Sequence, residues 1–545
     1  MTSYACLFEA KSIQDYILRS GRLRHVVGAS ELIDSLTPAL LNDVLDALGL
    51  QRDREVRFSR EAGGAVYLFT PEQQHRDSFR GLWSTAVRQY APGLEFVLVA
   101  GEGASDHAAY EDANKRLHAA RNRQAPLLPA GTPVTRYAPR TGEPAVSYDA
   151  KLGWQDQATT RFGRREFWRN PKDGLTRRFA PDLSPDDWPR NLDYDADDPD
   201  NAEFPFLQDN RYLALLHADG NGLGQLLIKL QECAKDNPEF FVPLFGDFSR
   251  AVSNATIEAA RGATDAVLLR ARNRLNDDDS DAAVRLMPAR PIVLGGDDVT
   301  ILLRADLALP FAREFLTRFE QASRMQLDKV RDGHPAAASI LPPCLTAGAG
   351  IVFVKSNHPF HLASELAEAI AKCAKDMGKA HRENERIPPT LAFHRVTTAC
   401  HGEYKDIIDE EMTTGRDGAE IRTTLIAYGL DDNGPLPALV DVMSLAKLLG
   451  AEDVARGPAR QLLTLLGQDH DEAARRYRRW QEVMAERAPM QLDDMKGLLG
   501  RLCDGLDDDL PVSKSGVPRR TPLGDVTALL AATQGADPET ATEEK

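Results

Sequence analysis

Two adjacent carboxylates stand between two apolar runs in PIVLGGDDVTILL, residues 291–303. They are Asp297 and Asp298. A third carboxylate, Asp219, follows the apolar run of LLHADGNGLG, residues 215–224. Carboxylates gathered at one point repel one another, and hard divalent cations such as Mg²⁺ remove that repulsion. Two such ions can hold the attacking and leaving oxygens of a phosphoryl displacement, so these residue types suit metal-dependent chemistry on a phosphate.

Glycines flank the aspartates and suit a nucleotide ligand. Gly295 and Gly296 allow a tight turn and let a ligand approach the backbone. Gly220, Asn221 and Gly222 precede a predicted helix whose first amide groups would face a phosphate. The alternative for both segments is a solvated polar turn without a ligand.

Three lysines add positive charge downstream. Lys372, Lys375 and Lys379 recur at a spacing of three and four residues, so they share one face of a predicted helix. Lys375 and Lys379 lie near its carboxyl end, within reach of a triphosphate. The alternative is a simple interaction with the helix dipole.

The order of the predicted elements explains how distant segments would meet. Residues 211–400 are predicted to form a β-α-β-β-α-β unit followed by one more helix and strand. In such a sheet the first strand runs antiparallel to the third, so Asp219 is expected beside the turn at 295–298. Residues 1–138 show the same order, but their corresponding turn, GGAV at 63–66, has no carboxylate to bind metal.

The predicted fold class is α+β, with two ferredoxin-like domains and a helical C-terminal domain. The first domain covers residues 1–138 and is non-catalytic. A connector follows at 139–210, with a short hairpin as a further expectation. The GGDD domain covers 211–400. Residues 401–545 are predicted to be helical without further strands, ending in a disordered tail at 535–545.

A basic stretch in the connector interleaves arginines with aromatic residues. Arg161–Phe179 has the composition of a grip on single-stranded nucleic acid. The alternative, favoured on composition alone, is a solvated or partner-facing loop.

Composition and charge limit the remaining classes of function. The 545 residues carry 66 Lys and Arg against 82 Asp and Glu, a net charge of −16. This charge argues against a surface that binds nucleic acid throughout, although a local basic groove is compatible with it. Six cysteines occur singly without a CxxC pair, and no signal or membrane-spanning segment is predicted. A cytoplasmic location is therefore expected.

These motifs together resemble a known family. GGDD at 295–298, HADGNGLG at 217–224, and the segments 345–379 and 389–396 resemble the catalytic palm of the polymerase-like large subunit of type III CRISPR effector complexes. That palm is related to GGDEF diguanylate cyclases and class III nucleotide cyclases. Residues 8–34 resemble the first, non-catalytic palm of the same family.

The resemblance implies a cyclic oligoadenylate synthetase. ATP would be polymerised into 3′–5′-linked rings that act as second messengers in antiviral defence, with Mg²⁺ or Mn²⁺ as cofactor. Asp219, Asp297 and Asp298 would hold the metals, while Lys375 and Lys379 would neutralise phosphates. A 3′-hydroxyl would attack an α-phosphate and pyrophosphate would leave. RNA and other effector subunits would be partners, and no membrane would be involved.

The chain departs from the family pattern in several places. Asn221 stands where many large subunits carry a second acidic residue, and the HD nuclease domain and the zinc-binding cysteines between the palms are missing. A stand-alone or reduced relative is therefore expected. Val299 follows Asp298 where GGDEF enzymes have Glu-Phe, which disfavours a GTP-using diguanylate cyclase. A non-catalytic scaffold that binds RNA or sister subunits is the other alternative.

Overall fold

The fold is described from a computed structural model. It describes residues 2–62, 64–123, 131–168, 174–193, 202–207, 210–277, 286–382, 386–397, 403–415, 420–431, 434–451 and 454–533. The predicted disordered tail at 535–545 lies outside the described residues, as does Gly63 of the GGAV turn.

The chain alternates strands and helices over most of its length, as an α+β fold requires. The strands are β1 (Ser3–Ala10), β2 (Arg57–Ala62), β3 (Ala65–Thr70), β4 (Phe96–Gly103), β5 (Ala145–Asp149), β6 (Gly153–Asp156), β7 (Tyr212–Gly220), β8 (Ala289–Gly295), β9 (Asp298–Arg304), β10 (Ala347–Lys355), β11 (Thr390–Arg395), β12 (Thr413–Thr414), β13 (Ile421–Arg422), β14 (Tyr428–Gly429) and β15 (Arg519–Arg520). The α-helices are α1 (Ile13–Leu18), α2 (Leu23–Asp34), α3 (Leu41–Leu48), α4 (Gln73–Tyr90), α5 (Asp106–Arg121), α6 (Gln157–Phe162), α7 (Arg165–Trp168), α8 (Leu175–Phe179), α9 (Leu223–Asp236), α10 (Phe241–Ala263), α11 (Arg270–Asp277), α12 (Ala308–Gly333), α13 (Phe360–Ala380), α14 (Tyr404–Glu410), α15 (Leu439–Gly450), α16 (Gly457–Leu466), α17 (His470–Arg487), α18 (Pro489–Leu502) and α19 (Leu523–Ala532).

Two sheets share one strand order. The first is ordered β2-β3-β1-β4, and the second contains β8-β9-β7-β10 in the same relative positions. This is the order expected of a β-α-β-β-α-β unit, so each predicted strand occupies its predicted place. In the second sheet β11 joins β10 in parallel and β14 joins β11, which gives six strands. The assignment of the first unit as a palm stays a prediction.

The alternation of side chains along β7 sets the two faces of the second sheet. Leu216 and Ala218 face the core that α10 and α12 cover. Leu213 and Leu215 face the core that includes α13. Because side chains alternate along a strand, Asp219 continues the α13 face where that strand ends.

The two units pack against each other through equivalent elements. Helix α2 of the first unit lies against β8, and α10 of the second unit lies against β2. The Ser30 hydroxyl of α2 donates a hydrogen bond to the Ile292 carbonyl. Beside it, buried Glu31 accepts a hydrogen bond of 3.0 Å from the Leu175 N–H, and its carboxylate lies 3.9 Å from the Arg290 guanidinium.

Glu31 makes the stability of this packing dependent on pH. Burial, partly offset by Arg290, raises the pKa of Glu31 to about 7. A group with a raised folded-state pKa gives its full stability below its unfolded pKa of about 4.5 and loses it as the pH rises towards 7. We expect a Glu31-dependent loss of at most about 3 kcal/mol between pH 4.5 and pH 8, at about 1.4 kcal/mol per pKa unit.

Urea unfolding of wild type, Glu31→Gln and exposed Glu410→Gln at several pH values measures this loss. The Glu31→Gln variant should lose less stability than wild type as the pH rises, and Glu410→Gln should follow wild type. Parallel profiles for wild type and Glu31→Gln would contradict the prediction.

Helix α13 lies so close to β10 that only glycine fits at one position. A Cβ on Gly350 would come within 2.2 Å of the Ala367 carbonyl oxygen and 2.4 Å of the Ala371 amide nitrogen. Both are backbone atoms, so Gly350→Ala must displace the helix. We expect a loss of about 1–3 kcal/mol in the free energy of unfolding, measured by denaturant titration. Gly81→Ala on α4 is the matched control, because a Cβ there meets nothing within 4 Å; a loss no larger than that of the control would contradict this account.

The connector contains the expected hairpin, formed by β5 and β6. Neither a grip on single-stranded nucleic acid nor a solvated loop fits the placement of three aromatic rings in its basic stretch. Phe162, Phe167 and Phe179 are buried in the core, so they are unavailable for stacking on bases. Arg178 lies 2.7 Å from the carboxylate of Asp34, joining the connector to α2. Composition gave no indication that these aromatic rings face inward.

The C-terminal region is helical over α15–α19. The prediction that strands end at residue 401 was wrong. Three two-residue strands form the sheet β12-β13-β15, and β14 extends the six-stranded sheet. Strands of two residues are too short to show alternation in a sequence.

Among the described helices, none is long and apolar enough to cross a membrane.

Candidate active site

Asp219 and Asp297 come from separate segments and meet at one end of the second sheet. Asp219 is the penultimate residue of β7, and Asp297 lies in the turn that joins β8 to β9. Their carboxyl groups lie within hydrogen-bonding distance of each other. The contact follows from the antiparallel pairing of β7 with β9, in which Ala218 is opposite Val299.

Glycines allow this turn to approach β7. Gly296 has φ of +62°, a left-handed conformation that favours glycine. Its carbonyl accepts a hydrogen bond of 2.7 Å from the Thr256 hydroxyl of α10. A Cβ on Gly220 would lie 2.9 Å from Asp297 Oδ2, so a larger residue there would push the carboxylates apart. Gly295 and Asp298 form the last pair of the hairpin.

Lys375 reaches the carboxylates from α13. Its Nζ contacts the Asp219 carboxylate and donates a hydrogen bond of 2.7 Å to the Gly220 carbonyl. Its stem passes over Gly348, where a Cβ would lie 2.4 Å from Lys375 Cγ. Lys379, grouped with Lys375 from the sequence, instead pairs with Asp376 at 2.8 Å on the exposed side.

Asp298 lies beside the Asp219–Asp297 pair and contacts a histidine. Its Oδ1 is 3.3 Å from His217 Nδ1, which also lies 3.2 Å from the Thr300 hydroxyl. Asp298 Oδ1 is buried and has no hydrogen-bond partner. His217 precedes Asp219 by two residues, a spacing that places both side chains on the same face of β7.

The site opens into a cleft of about 490 Å³ between the sheet and α13. It is lined by His217, Asp219, Glu365, Glu368, Ala369, Ala371, Lys372, Lys375 and Lys379. Glu365 and Glu368 were missed from the sequence. Glu368 precedes Lys372 by four residues, and Glu365 precedes Glu368 by three. This spacing places both on the same helix face as Lys372, which is the signal that could have found them.

The ionised forms of Asp297 and Asp298 are unfavourable in this environment. Burial, followed by the charge of Asp219, raises the pKa of Asp297 to about 7. The same two causes raise the pKa of Asp298 to about 7, against the opposing effect of Lys375. Burial also lowers the pKa of His217 and raises that of Glu368. The site therefore has more acidic groups than its own cations neutralise.

These residues fit a divalent cation in chemical type. Asp219 and Asp297 offer paired carboxylates, and Asp298 Oδ1, which accepts no hydrogen bond, is a further oxygen acceptor. Within the part of the chain that the structure describes, however, no three His, Cys, Asp or Glu side chains are already arranged to hold a metal ion. Shared ligation by all three aspartates stays a prediction.

Asn221 and Gly222 lie immediately before α9. Asn221 donates from its backbone N–H to the Thr346 carbonyl at 2.8 Å and from Nδ2 to the Thr346 hydroxyl at 3.0 Å. Its Oδ1 is buried without a partner. Gly222, with φ of +72°, precedes the helix and offers no side chain to cap it. The first amides of α9 are thus left without a side-chain acceptor from this position.

A family comparison covers this whole site. Residues 212–383 match the sequence model of the family described as Cas10/Cmr2, second palm domain. The chain contains a Cas10/Cmr2 second palm domain. This palm includes β7, the β8–β9 turn and all of α13, so it contains every candidate residue named above.

Solved structures similar to the whole chain are Csm1 and Csm1–Csm4 assemblies. A Csm1–Csm4 cassette in complex with cA3 is 13% identical with a TM-score of 0.48, covering 99% of this chain and 70% of that one. A cassette in complex with AMPPNP is 12% identical with a TM-score of 0.47, covering 98% and 70%. Csm1 in T. onnurineus is 13% identical with a TM-score of 0.43, covering 99% and 69%. No curated protein matches this chain in sequence.

Proposed function

We propose that the chain is a metal-dependent nucleotidyltransferase that joins ATP into cyclic oligoadenylates for type III CRISPR defence. The observation that carries the proposal is the contact between Asp219 and Asp297 within a Cas10/Cmr2 second palm domain. Two carboxylates at hydrogen-bonding distance serve no evident packing purpose, since burial and the charge of Asp219 make the ionised form of Asp297 costly.

Asp219 and Asp297 would hold the divalent cation, with Asp298 as a further oxygen ligand. When bound, Mg²⁺ or Mn²⁺ would neutralise charge on the reacting phosphate and its leaving group. The protein contributes the placement: β7 fixes Asp219, and the Gly296 turn, anchored by Thr256, fixes Asp297. Placement and charge neutralisation would supply most of the acceleration.

Lysines of α13 would bind the triphosphate. Lys375 is only 15% exposed and already lies against Asp219, so it would contact a phosphate next to the reacting atoms. Lys372 and Lys379 line the same cleft and would contact the outer phosphates. The base is assigned as adenine through the resemblance and not through contacts of the cleft residues.

Incubation with each radiolabelled nucleoside triphosphate and Mn²⁺ or Mg²⁺, with and without RNA, tests the proposal. We expect cyclic oligonucleotides from ATP, resolved by chromatography, and none from the Asp297→Ala/Asp298→Ala variant. A product made only from GTP would favour a diguanylate cyclase. A protein that co-purifies with RNA but yields no product under any condition would favour the scaffold.

A further inference from the structure

A cavity of about 350 Å³ lies at the end of the second sheet opposite to the aspartates. It is lined by Tyr212, Lys355, Asn357, His358, Arg395, Val396 and Thr397, and we call it the strand-end cavity. Strands β10 and β11 are parallel, with Phe353 opposite Arg395, and the cavity lies at their carboxyl ends. Crevices outside the carboxyl ends of parallel strands are frequent ligand sites in α/β sheets.

The lining of the strand-end cavity is basic. Lys355 and Arg395 carry positive charge, and His358 adds an imidazole. The described residues that line it include no aspartate or glutamate, although the chain as a whole is acidic. A concentration of cationic groups without carboxylates in an acidic protein points to an anionic ligand.

Arg395 has a donor that the protein itself does not satisfy. Its Nη1 donates a hydrogen bond of 3.1 Å to the Tyr212 hydroxyl, which orients the guanidinium. Its Nε is buried and has no hydrogen-bond partner. An unsatisfied buried donor is costly, and an anion in the cavity would remove that cost. Guanidinium groups bind phosphate oxygens through two parallel N–H donors.

The cavity also adjoins the start of α13, which is 21 residues long. Asn357 and His358 precede the helix, and Pro359 at its N-cap gives no side-chain cap. The first helix amides therefore favour a nearby negative charge. Burial, and then the charge of His361, lower the pKa of His358, so its neutral imidazole offers an N–H donor while Lys355 and Arg395 supply the charge.

We propose that the strand-end cavity binds a phosphate group through Arg395, Lys355 and His358. The site is separate from the aspartate cleft: Phe360 and Lys375 are fifteen residues apart on α13, which is about 22 Å along a helix. The proposal does not rest on the proposed function. The phosphate could belong to a small molecule or to a nucleic acid.

Calorimetric titration with inorganic phosphate tests the site. EDTA and an Asp297→Asn background remove metal-dependent binding in the cleft, and sodium chloride is matched for ionic strength. We expect saturable binding that weakens at least tenfold in Arg395→Gln and at least threefold in Lys355→Gln. Lys355 is exposed, so its replacement should leave folding intact. Exposed Lys115→Gln, on the first unit, is the matched control and should leave the affinity unchanged.

A single-stranded oligonucleotide with and without a 5′-phosphate distinguishes the sources. Lys355-dependent binding of only the phosphorylated form would identify a terminal phosphate, and equal Lys355-dependent binding of both forms would identify the phosphodiester backbone. Either result supports the site. Absence of saturable phosphate binding, or equal affinities in Lys355→Gln, Arg395→Gln and their parent, would overturn it. Neither of these results bears on ATP turnover by the wild-type protein.

Discussion

The Asp297→Asn variant should lose oligoadenylate synthesis, with a rate about a hundred- to a thousandfold lower than wild type, the range for removing a main charge-stabilising group. Asparagine keeps the shape of the turn but removes one of the two carboxylates in contact. A steady-state assay with ATP and Mn²⁺ measures the rate. Asp265→Asn, an exposed aspartate on the helical segment after α10, is the matched control and should retain full activity.

The same substitution should stabilise the metal-free protein at high pH. The pKa of Asp297 is raised to about 7, so its ionisation in the folded state opposes folding as the pH rises through 4 to 7. The asparagine side chain of the variant does not ionise, and the variant should therefore melt at a higher temperature than wild type at pH 8 in EDTA. A gain in stability with a loss of activity is the signature of a functional carboxylate. Loss of both would indicate a structural role instead.

The Lys375→Met variant should lose about a hundredfold in kcat/KM for ATP, which corresponds to about 2.7 kcal/mol. Methionine keeps most of the stem that passes over Gly348 but removes the ammonium that contacts Asp219 and the Gly220 carbonyl. Without that charge, both the aspartates and a bound triphosphate lose their nearest cation.

Lys379→Met is the matched control for this loss. Lys379 is half exposed and pairs with Asp376, so water screens any contact that it makes with an outer phosphate, and we expect a decrease of no more than about threefold. Initial rates over a range of ATP concentrations separate the two variants. Equal losses would contradict the assignment of Lys375 to the reacting phosphate and would favour a diffuse electrostatic role for the α13 lysines.

The convergence of Asp219 and Asp297 could be predicted because it depends on strand order alone. Antiparallel pairing of β7 with β9 places the end of one beside the start of the other, whatever the side chains do. The residues that surround the Asp219–Asp297 pair were harder to predict from the sequence. His217 and Glu368 were not among the predicted site residues, because they come from a strand and a helix that are far apart in the sequence and form the cleft between them.

The main error of interpretation from the sequence concerned the aromatic residues of the connector, which were expected at the surface and are buried. Phe162 and Phe179 lie in a stretch whose composition is typical of a surface that binds single-stranded nucleic acid. Phe162 instead packs into the core of the first unit and Phe179 into the core of the second unit. Their burial depends on long-range contacts such as the hydrogen bond from the Leu175 N–H to Glu31. Local composition contains no information on contacts between residues so far apart in the sequence.

Anomalous diffraction at the manganese edge, from crystals containing Mn²⁺ and a non-hydrolysable ATP analogue, tests the central claim most directly. The account predicts a peak within about 2–2.5 Å of carboxylate oxygens from both Asp219 and Asp297, with Lys375 turned to a phosphate. A nucleotide bound in the cleft without such a peak, and with Lys375 still on Asp219, would contradict it.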